Sequence, residues 1–241
     1  MIKVDCKKYA DEILDIVKER TVKPLTFIRK AKGYSPADSY VNGIKKDCDR
    51  CGIGYTESEV DWGLMQMIQN MGTCGGIVYD MPTDKQSTRL MNIDLYKDNN
   101  FFPCVVEAVL HIMEKELDTF EGKRVLVISR SESIGKPLMN ELLNRNCTVT
   151  VAHSKTVNLN TVEYLKHHDV IISAAGKANL INLAKCTAEL VVDVGINTDE
   201  KGKLCGDCYN FTETGEGTKV TTVPGGVGLL TRAILLGRVR G

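Results

Sequence analysis

Arg124–Lys136, RVLVISRSESIGK, is the stretch whose reading decides the fold. Val125, Leu126, Val127 and Ile128 form a short apolar run, rich in β-branched residues and bounded by polar ones, which is the pattern of a buried parallel strand. A turn of small residues follows from Ser129 to Gly135. Pro137 then stands where a helix begins, and Leu138, Met139, Leu142 and Leu143 give that helix an apolar face. Strand, tight turn and helix in this order open a nucleotide-binding βαβ unit. In such a unit, backbone N–H groups at the helix start receive a pyrophosphate.

Set on the pattern G-x-G-x-x-G, the glycine positions fall on Ser129, Ser131 and Ile134, with Gly135 one residue late. The turn alone therefore suits either a cofactor site or an ordinary βα turn. The next strand, Thr148–His153, ends about 20 residues on, where NAD-binding units carry an acid for the ribose hydroxyls. Here it runs into His153, Ser154 and Lys155, without a carboxylate, and Arg130 stands in the preceding turn. Cations and hydroxyls in those places suit a 2′-phosphate, so the expected cofactor is NADP rather than NAD. A solvated basic loop end is the alternative reading of the same residues.

The 241 residues suffice for one large domain or two small ones, and the 43% apolar and 26% charged content is that of a soluble globular protein. No apolar run approaches the roughly 18 residues needed to span a membrane. The N-terminal stretch lacks the apolar segment of a secretory signal. A formal net charge of zero removes the electrostatic case for nucleic acid. Nine cysteines, an odd number, predict reduced thiols and a cytoplasmic location. Cys48/Cys51 and Cys205/Cys208 are two C-x-x-C pairs. Their wide separation is not the spacing of a compact zinc module, so free thiols are expected and no metal.

Along the chain, Lys7–Arg20 reads as an amphipathic helix, Pro24–Ile28 as a strand, Arg29–Asp38 as a loop and Ser39–Cys51 as a second helix ended by Gly52. Ile53–Val60 is a weak strand, Asp61–Met71 a third helix and Gly75–Met81 a strand stopped by Pro82. This rhythm implies a small parallel sheet covered by helices. Thr83–Asn100 is a polar loop of the kind that carries ligands at a strand's carboxyl end. Phe102–Glu116 is a long helix leading into the second unit. There, strands at Arg124–Arg130, Thr148–His153, Asp169–Ala174, Leu190–Val194 and Lys219–Val223 alternate with helices such as Leu159–Lys166, which makes a Rossmann-like domain. The fold class is thus α/β, with a small N-terminal α/β domain, a Rossmann-like NAD(P)-binding domain and a cleft between them.

Several blocks then carry a resemblance: YVNGIKKDCDRCGI from Tyr40, FFPC around Pro103 and Cys104, ISRSESIGKP, TVTVAHSKT, IISAAGK, VVDVGIN, GKLCGD and TTVPGGVGLLT. In order and spacing they resemble the methylenetetrahydrofolate dehydrogenase/cyclohydrolase family from about Leu25 onward. The resemblance implies a folate-binding domain over residues 1–107, completed by 229–241, and an NADP-binding domain over 108–228. It implies oxidation of methylenetetrahydrofolate by hydride transfer to NADP, and in many members hydrolysis of the methenyl product to formyltetrahydrofolate. Since no proton leaves in the hydride step, positioning and cation stabilisation suffice for it, whereas the hydrolysis needs proton transfer. A homodimer through the Rossmann domain is likewise implied by the resemblance.

Residue by residue, the resemblance makes Tyr40 the active-site tyrosine against the folate and Asp94 the carboxylate that holds the pterin by paired hydrogen bonds. Pro224, Gly225 and Gly226 fall in the loop that closes over nicotinamide and folate. Cofactor contacts fall on Arg130, Ser131, Ser133, Ile134, His153, Ser154, Ala175, Gly176, Gly195 and Ile196, with Gly226 beside them. The departures are specific. The family's catalytic lysine, four residues after the tyrosine, is here Ile44, and Lys45 points about 100° away on a helix. The glutamine that partners that lysine is here Asp80. Ser129 replaces a turn glycine, and Thr222 and Leu229 replace loop prolines. The expectation is a dehydrogenase whose cyclohydrolase is weak or lost. The alternatives are a bifunctional enzyme using Asp80 or Lys45 as base, a non-catalytic folate- or nucleotide-binding relative, and a Rossmann dehydrogenase for another substrate.

Overall fold

A computed structural model describes residues 1–29, 35–58, 76–80, 96–97, 100–101, 103–157, 159, 162–184 and 186–239. The helices are α1 (Cys6–Lys18), α2 (Ser35–Cys51), α3 (Cys104–Glu116), α4 (Gly135–Asn144), α5 (Val162–Leu165) and α6 (Val227–Gly237). The strands are β1 (Ile2–Lys3), β2 (Leu25–Arg29), β3 (Tyr55–Ser58), β4 (Gly76–Asp80), β5 (Tyr96–Lys97), β6 (Asn100–Phe101), β7 (Arg124–Ile128), β8 (Thr148–Ala152), β9 (Val170–Ser173), β10 (Ile181–Asn182), β11 (Leu190–Asp193), β12 (Asn197–Thr198), β13 (Leu204–Cys205), β14 (Cys208–Tyr209) and β15 (Lys219–Val220). They divide between two compact units, Met1–Lys7 with Val105–Leu230 and Lys8–Cys104 with Thr231–Gly241.

The larger unit is built on a six-stranded sheet in the order β1-β15-β11-β9-β7-β8. Every pairing in it is parallel. The apolar run of β7 is buried from Val125 to Ile128, as are all of β9 and β11, which is why these strands read as continuous apolar stretches. Leu126 and Ile128 project to one face and pack with Ile171, Val191 and Val220. The last rungs of the central strands line up, Ile128 with Ala152 and with Ser173, and Ser173 with Asp193. The loops that follow these strands therefore leave the sheet side by side at its carboxyl edge.

Several details differ from the sequence reading. Residues 1–7 belong with this unit rather than with the first, because Ile2 and Lys3 pair in parallel with Lys219 and Val220. The strand expected to run to Val223 stops at Val220, where the chain turns into the loop ahead of α6. The helix expected over Leu159–Lys166 is a single turn, Val162–Leu165. On α4, Leu138 and Leu142 are buried, whereas Leu143 is 56% exposed and off the apolar face.

The smaller unit holds a three-stranded parallel sheet in the order β3-β2-β4. α2 starts at Ser35, earlier than the expected Ser39, with Pro36 in its first turn, where a missing N–H costs nothing. Its buried face carries Val41, Ile44, Cys48 and Cys51. Arg50 ties it to Asp11 and Asp15 of α1, and Cys51 Sγ lies 3.6 Å from the Leu14 carbonyl. The C-terminal segment packs into the same unit, with Ala233, Leu235 and Leu236 buried and Arg232 Nε 2.7 Å from Asp47 Oδ2. The expected Asp61–Met71 helix lies outside the described residues, as does most of the Thr83–Asn100 loop. No helix among the described residues is long and apolar enough to cross a membrane.

Candidate active site

The candidate cofactor residues collect at the carboxyl edge of the six-stranded sheet. Arg130 and Ser154 each stand two residues beyond the Ile128–Ala152 rung, in the loops that follow two neighbouring strands. Ala175 and Gly176 follow β9, Gly195 and Ile196 follow β11, and Pro224–Gly226 lie between β15 and α6. Arg130 is exposed and has no hydrogen bond or ion pair with any described residue. His153 is half-buried; its Nδ1 accepts the Lys155 amide at 3.1 Å, and its own amide donates to Thr156 Oγ1 at 2.9 Å. That leaves Nε2 as the ring's N–H.

The turn after β7 works without the fingerprint glycines. Ser131 Oγ accepts the amides of Ile134 at 3.1 Å and Gly135 at 3.2 Å, and Ser129 Oγ accepts the Ser131 amide at 3.3 Å. Two of the amides expected to meet a pyrophosphate are thus already held by a serine hydroxyl at the start of α4. Gly135 does the packing work of the third fingerprint glycine, one residue on. A Cβ there would lie 2.5 Å from the Ser129 carbonyl oxygen and 2.9 Å from Arg130 Cα. In the loop ahead of α6, Gly225 has φ +93°, a conformation that needs glycine, and a Cβ on Gly226 would lie 2.4 Å from the Thr222 carbonyl oxygen.

Two residues at this edge had no role in the sequence reading. Asp193 and Asp207 are fully buried. Asp207 Oδ2 accepts Ser173 Oγ at 2.9 Å, the Ala175 amide at 2.7 Å and the Gly176 amide at 3.3 Å. Its Oδ1 accepts the Lys177 amide and Asn197 Nδ2, both at 2.9 Å. Asp193 accepts the amides of Gly195, Asp207 and Cys208 at 3.0, 3.0 and 2.9 Å. Burial pushes the Asp193 carboxyl above the usual carboxylate range, against those amides, and the Asp207 charge adds to the rise. Each motif supplied the signal, an Asp in VVDVGIN and in GKLCGD, but only three-dimensional contact shows that the two are one network.

The folate-side candidates belong to the smaller unit. Tyr40 is half-buried on α2, and its hydroxyl oxygen is buried. One turn on, Ile44 is fully buried. Lys45 is committed elsewhere, with Nζ 2.6 Å from Glu57 Oε2 and 5.8 and 5.9 Å from the ring centroids of Phe27 and Tyr55. Asp80 closes β4, paired with Arg29 of β2 in backbone register. Asp94 lies outside the described residues. Of the C-x-x-C cysteines, Cys48, Cys51 and Cys208 are buried and Cys205 half-buried; burial pushes the Cys48 thiol up to about 12. Among the described residues no group of His, Cys, Asp and Glu is arranged to hold a metal.

A parallel sheet that lines up its loops at one carboxyl edge, in a chain with a second α/β unit, defines a two-unit α/β protein of the dinucleotide-binding class. Residues 103–240 match the NAD(P)-binding domain of tetrahydrofolate dehydrogenase/cyclohydrolase. Bifunctional protein FolD of Clostridium botulinum (strain Langeland) is 34% identical over 92% of this chain and 89% of its own length. Its namesake from Thermotoga maritima is 34% identical over 98% and 96%. The crystal structure of the bifunctional FolD methylenetetrahydrofolate dehydrogenase/cyclohydrolase from Campylobacter jejuni superposes with a TM-score of 0.83 at 27% identity, covering 99% of this chain and 96% of that one. The chain belongs to the tetrahydrofolate dehydrogenase/cyclohydrolase family.

Proposed function

We propose that this chain oxidises 5,10-methylenetetrahydrofolate to 5,10-methenyltetrahydrofolate with NADP, and that its cyclohydrolase activity is weak or lost. The observation that supports the cofactor half is the β7–β8 register, in which Arg130 and Ser154 each follow the Ile128–Ala152 rung by two residues. The residues present fit the group: Arg130 is exposed and unpaired among the described residues, and the Gly176 and Gly225 α-carbons have open space where a Cβ would stand. When bound, NADP supplies a hydride acceptor.

The chain's own work is recognition and placement. Arg130, with Ser154 and His153, holds the 2′-phosphate by charge-assisted bonds. Ser131, Ser133 and Ile134 form the turn at the start of α4 beside which the pyrophosphate would lie, shaped by the Ser131 hydroxyl that holds the Ile134 and Gly135 amides. Ala175, Gly176, Gly195, Ile196 and Pro224–Gly226 let backbone approach the rest of the cofactor. Tyr40 lies against the folate, and Asp94 accepts the pterin's N–H groups. The methylene carbon loses a hydride and no proton, so orientation at near-attack distance supplies the acceleration. The enzyme is proposed to be a cytoplasmic homodimer, acting on tetrahydrofolate derivatives and on neither nucleic acid nor membrane.

Loss of the hydrolytic half rests on Ile44 and Lys45. The position four residues after Tyr40 is a buried isoleucine, and the adjacent lysine is paired with Glu57. The second reading, a bifunctional enzyme with Asp80 as base, draws on the FolD relatives, which are named as bifunctional. One assay separates the two. With methylenetetrahydrofolate and NADP, reduced-nicotinamide and methenyl absorbance are followed together on the purified protein. Methenyl that accumulates in step with NADPH and decays at its uncatalysed rate supports the proposal. Methenyl cleared at a rate proportional to protein supports the bifunctional reading, and absence of NADPH formation overturns both.

A further inference from the structure

The buried carboxylate pair is not used by any step above, yet it holds two of the loops that the cofactor reading needs, those after β9 and β11. Asp207 gathers the amides of Ala175, Gly176 and Lys177 together with Ser173 Oγ and Asn197 Nδ2. Asp193 fixes Asp207 from below through the amides of Asp207 and Cys208, and it takes the Gly195 amide as well. Asp193's own amide donates to Thr221 Oγ1 at 2.8 Å, which reaches the segment leading to Pro224–Gly226. The packing leaves no room for a substitute. A Cβ on Gly195 would sit 2.1 Å from Asp207 Oδ1, and one on Gly206 would sit 2.0 Å from Asp193 Oδ2.

We infer that Asp207, seated on Asp193, is a positioning residue for the nicotinamide cofactor: its carboxylate sets the backbone of Ala175–Lys177 and the side chain of Asn197 in the shape the cofactor meets. The inference rests on the proposed reading of this edge as the NADP site. Ala175, Gly176 and Lys177 are exposed, so no apolar burial of their own dictates their path. Their amides turn inward to a single acceptor instead. All the groups hydrogen-bonded to the Asp207 carboxyl are donors, and its two oxygens offer the acceptor positions to take them together. An amide in its place would point an NH₂ at groups that also donate.

The test uses the full-length protein and measures NADP and NAD dissociation constants by calorimetry, KM for folate and for cofactor, and thermal midpoint. Asn197→Ala and Ser173→Ala each remove one donor and leave the buried charge otherwise solvated, so both are expected to fold. Each is expected to weaken NADP by about tenfold, the effect of one hydrogen bond to a charged group, with folate KM unchanged. Asp207→Asn is expected to weaken it by more than about a hundredfold. A merely structural clamp predicts a lowered thermal midpoint with unchanged cofactor affinity in the folded variants, and that result overturns the inference. Wild-type protein that binds neither NADP nor NAD overturns the site reading and the inference together. Wild-type protein that binds, with folded variants that match it, overturns the inference alone.

Discussion

Replacing Arg130 by alanine separates the two nicotinamide cofactors. The guanidinium sits two residues past the last β7–β8 rung, is exposed and is not engaged by any described residue. No internal ion pair has to break for it to meet a phosphate, and removing it leaves no buried charge behind. A pair of charge-assisted bonds from a guanidinium to a phosphate is worth about 1.5–3 kcal/mol. Solvent exposure and salt place this site at the lower end, about 1.5–2 kcal/mol, or roughly ten- to thirtyfold in affinity. Arg130→Ala is therefore expected to raise the NADP dissociation constant by about that factor and to leave NAD nearly unchanged. Calorimetric titration of both cofactors against both proteins measures it, repeated at a second salt concentration. The NADP effect should shrink as salt rises. An equal loss with NADP and NAD refutes the reasoning, since Arg130 would then serve the fold or the shared pyrophosphate rather than the 2′-phosphate.

Lys45→Met removes the Glu57 ion pair and the contact over Phe27 and Tyr55; it is expected to cost about 1–2 kcal/mol of stability by denaturant titration and to leave methenyl clearance unchanged. Ile44→Lys places an ammonium at a fully buried position and is expected to cost several kcal/mol of stability and so lower the thermal midpoint markedly, measured by calorimetry. Gly135→Ala forces a Cβ onto the Ser129 carbonyl and is expected to destabilise by about 1–3 kcal/mol, read from the same transition. Asp169 is held below the usual carboxylate range by its hydrogen bonds to Arg124. A carboxylate depressed in the folded state stabilises above its unfolded pKa and loses that contribution as pH falls through the folded value. Asp169→Asn should therefore lower the midpoint at neutral pH, and the difference from wild type should close below about pH 4.

The fold was legible where periodicity and composition agree. The apolar β-branched run of β7 and the strands β9 and β11 announce themselves, because strands buried on both faces leave no polar alternation to confuse, and the edge strand β8 shows the Thr–Val alternation of a half-buried strand. β1 was not legible, since two residues at a chain terminus carry no period at all and are ordered only by the edge they pair with. β15 was read too long because Thr221–Val223 is β-prone by composition. In the structure Thr221 spends its hydroxyl on the Asp193 amide, and the chain turns away. The early start of α2 was hidden by Pro36, which reads as a loop residue but is tolerated in a first turn. At the site, the residues after each strand could be listed from sequence order alone. What sequence order could not show was their coupling through Asp207, because Ser173, Ala175 and Gly176 lie more than thirty residues from it along the chain.

That coupling also explains why two short motifs occur together in one chain. Gly195 is a glycine because the Asp207 carboxylate occupies the space of its Cβ, and Gly206 is a glycine because the Asp193 carboxylate does the same there. The two Asp–Gly contacts are reciprocal, since Asp193 stands two residues before the glycine that makes room for Asp207, and Asp207 directly follows the glycine that makes room for Asp193. Neither motif can change one member without stranding a buried carboxylate or closing the space that holds it, and both alternatives are costly in an interior. The turn after β7 shows the opposite tolerance. There the fingerprint glycines are replaced, because a serine hydroxyl can occupy the helix amides and Gly135 can take over the close approach one residue later. A βα turn has several chemical solutions, whereas a pair of interlocked buried carboxylates has few. The interlock of VVDVGIN with GKLCGD, against the substituted glycines of ISRSESIGKP, follows from that difference in packing.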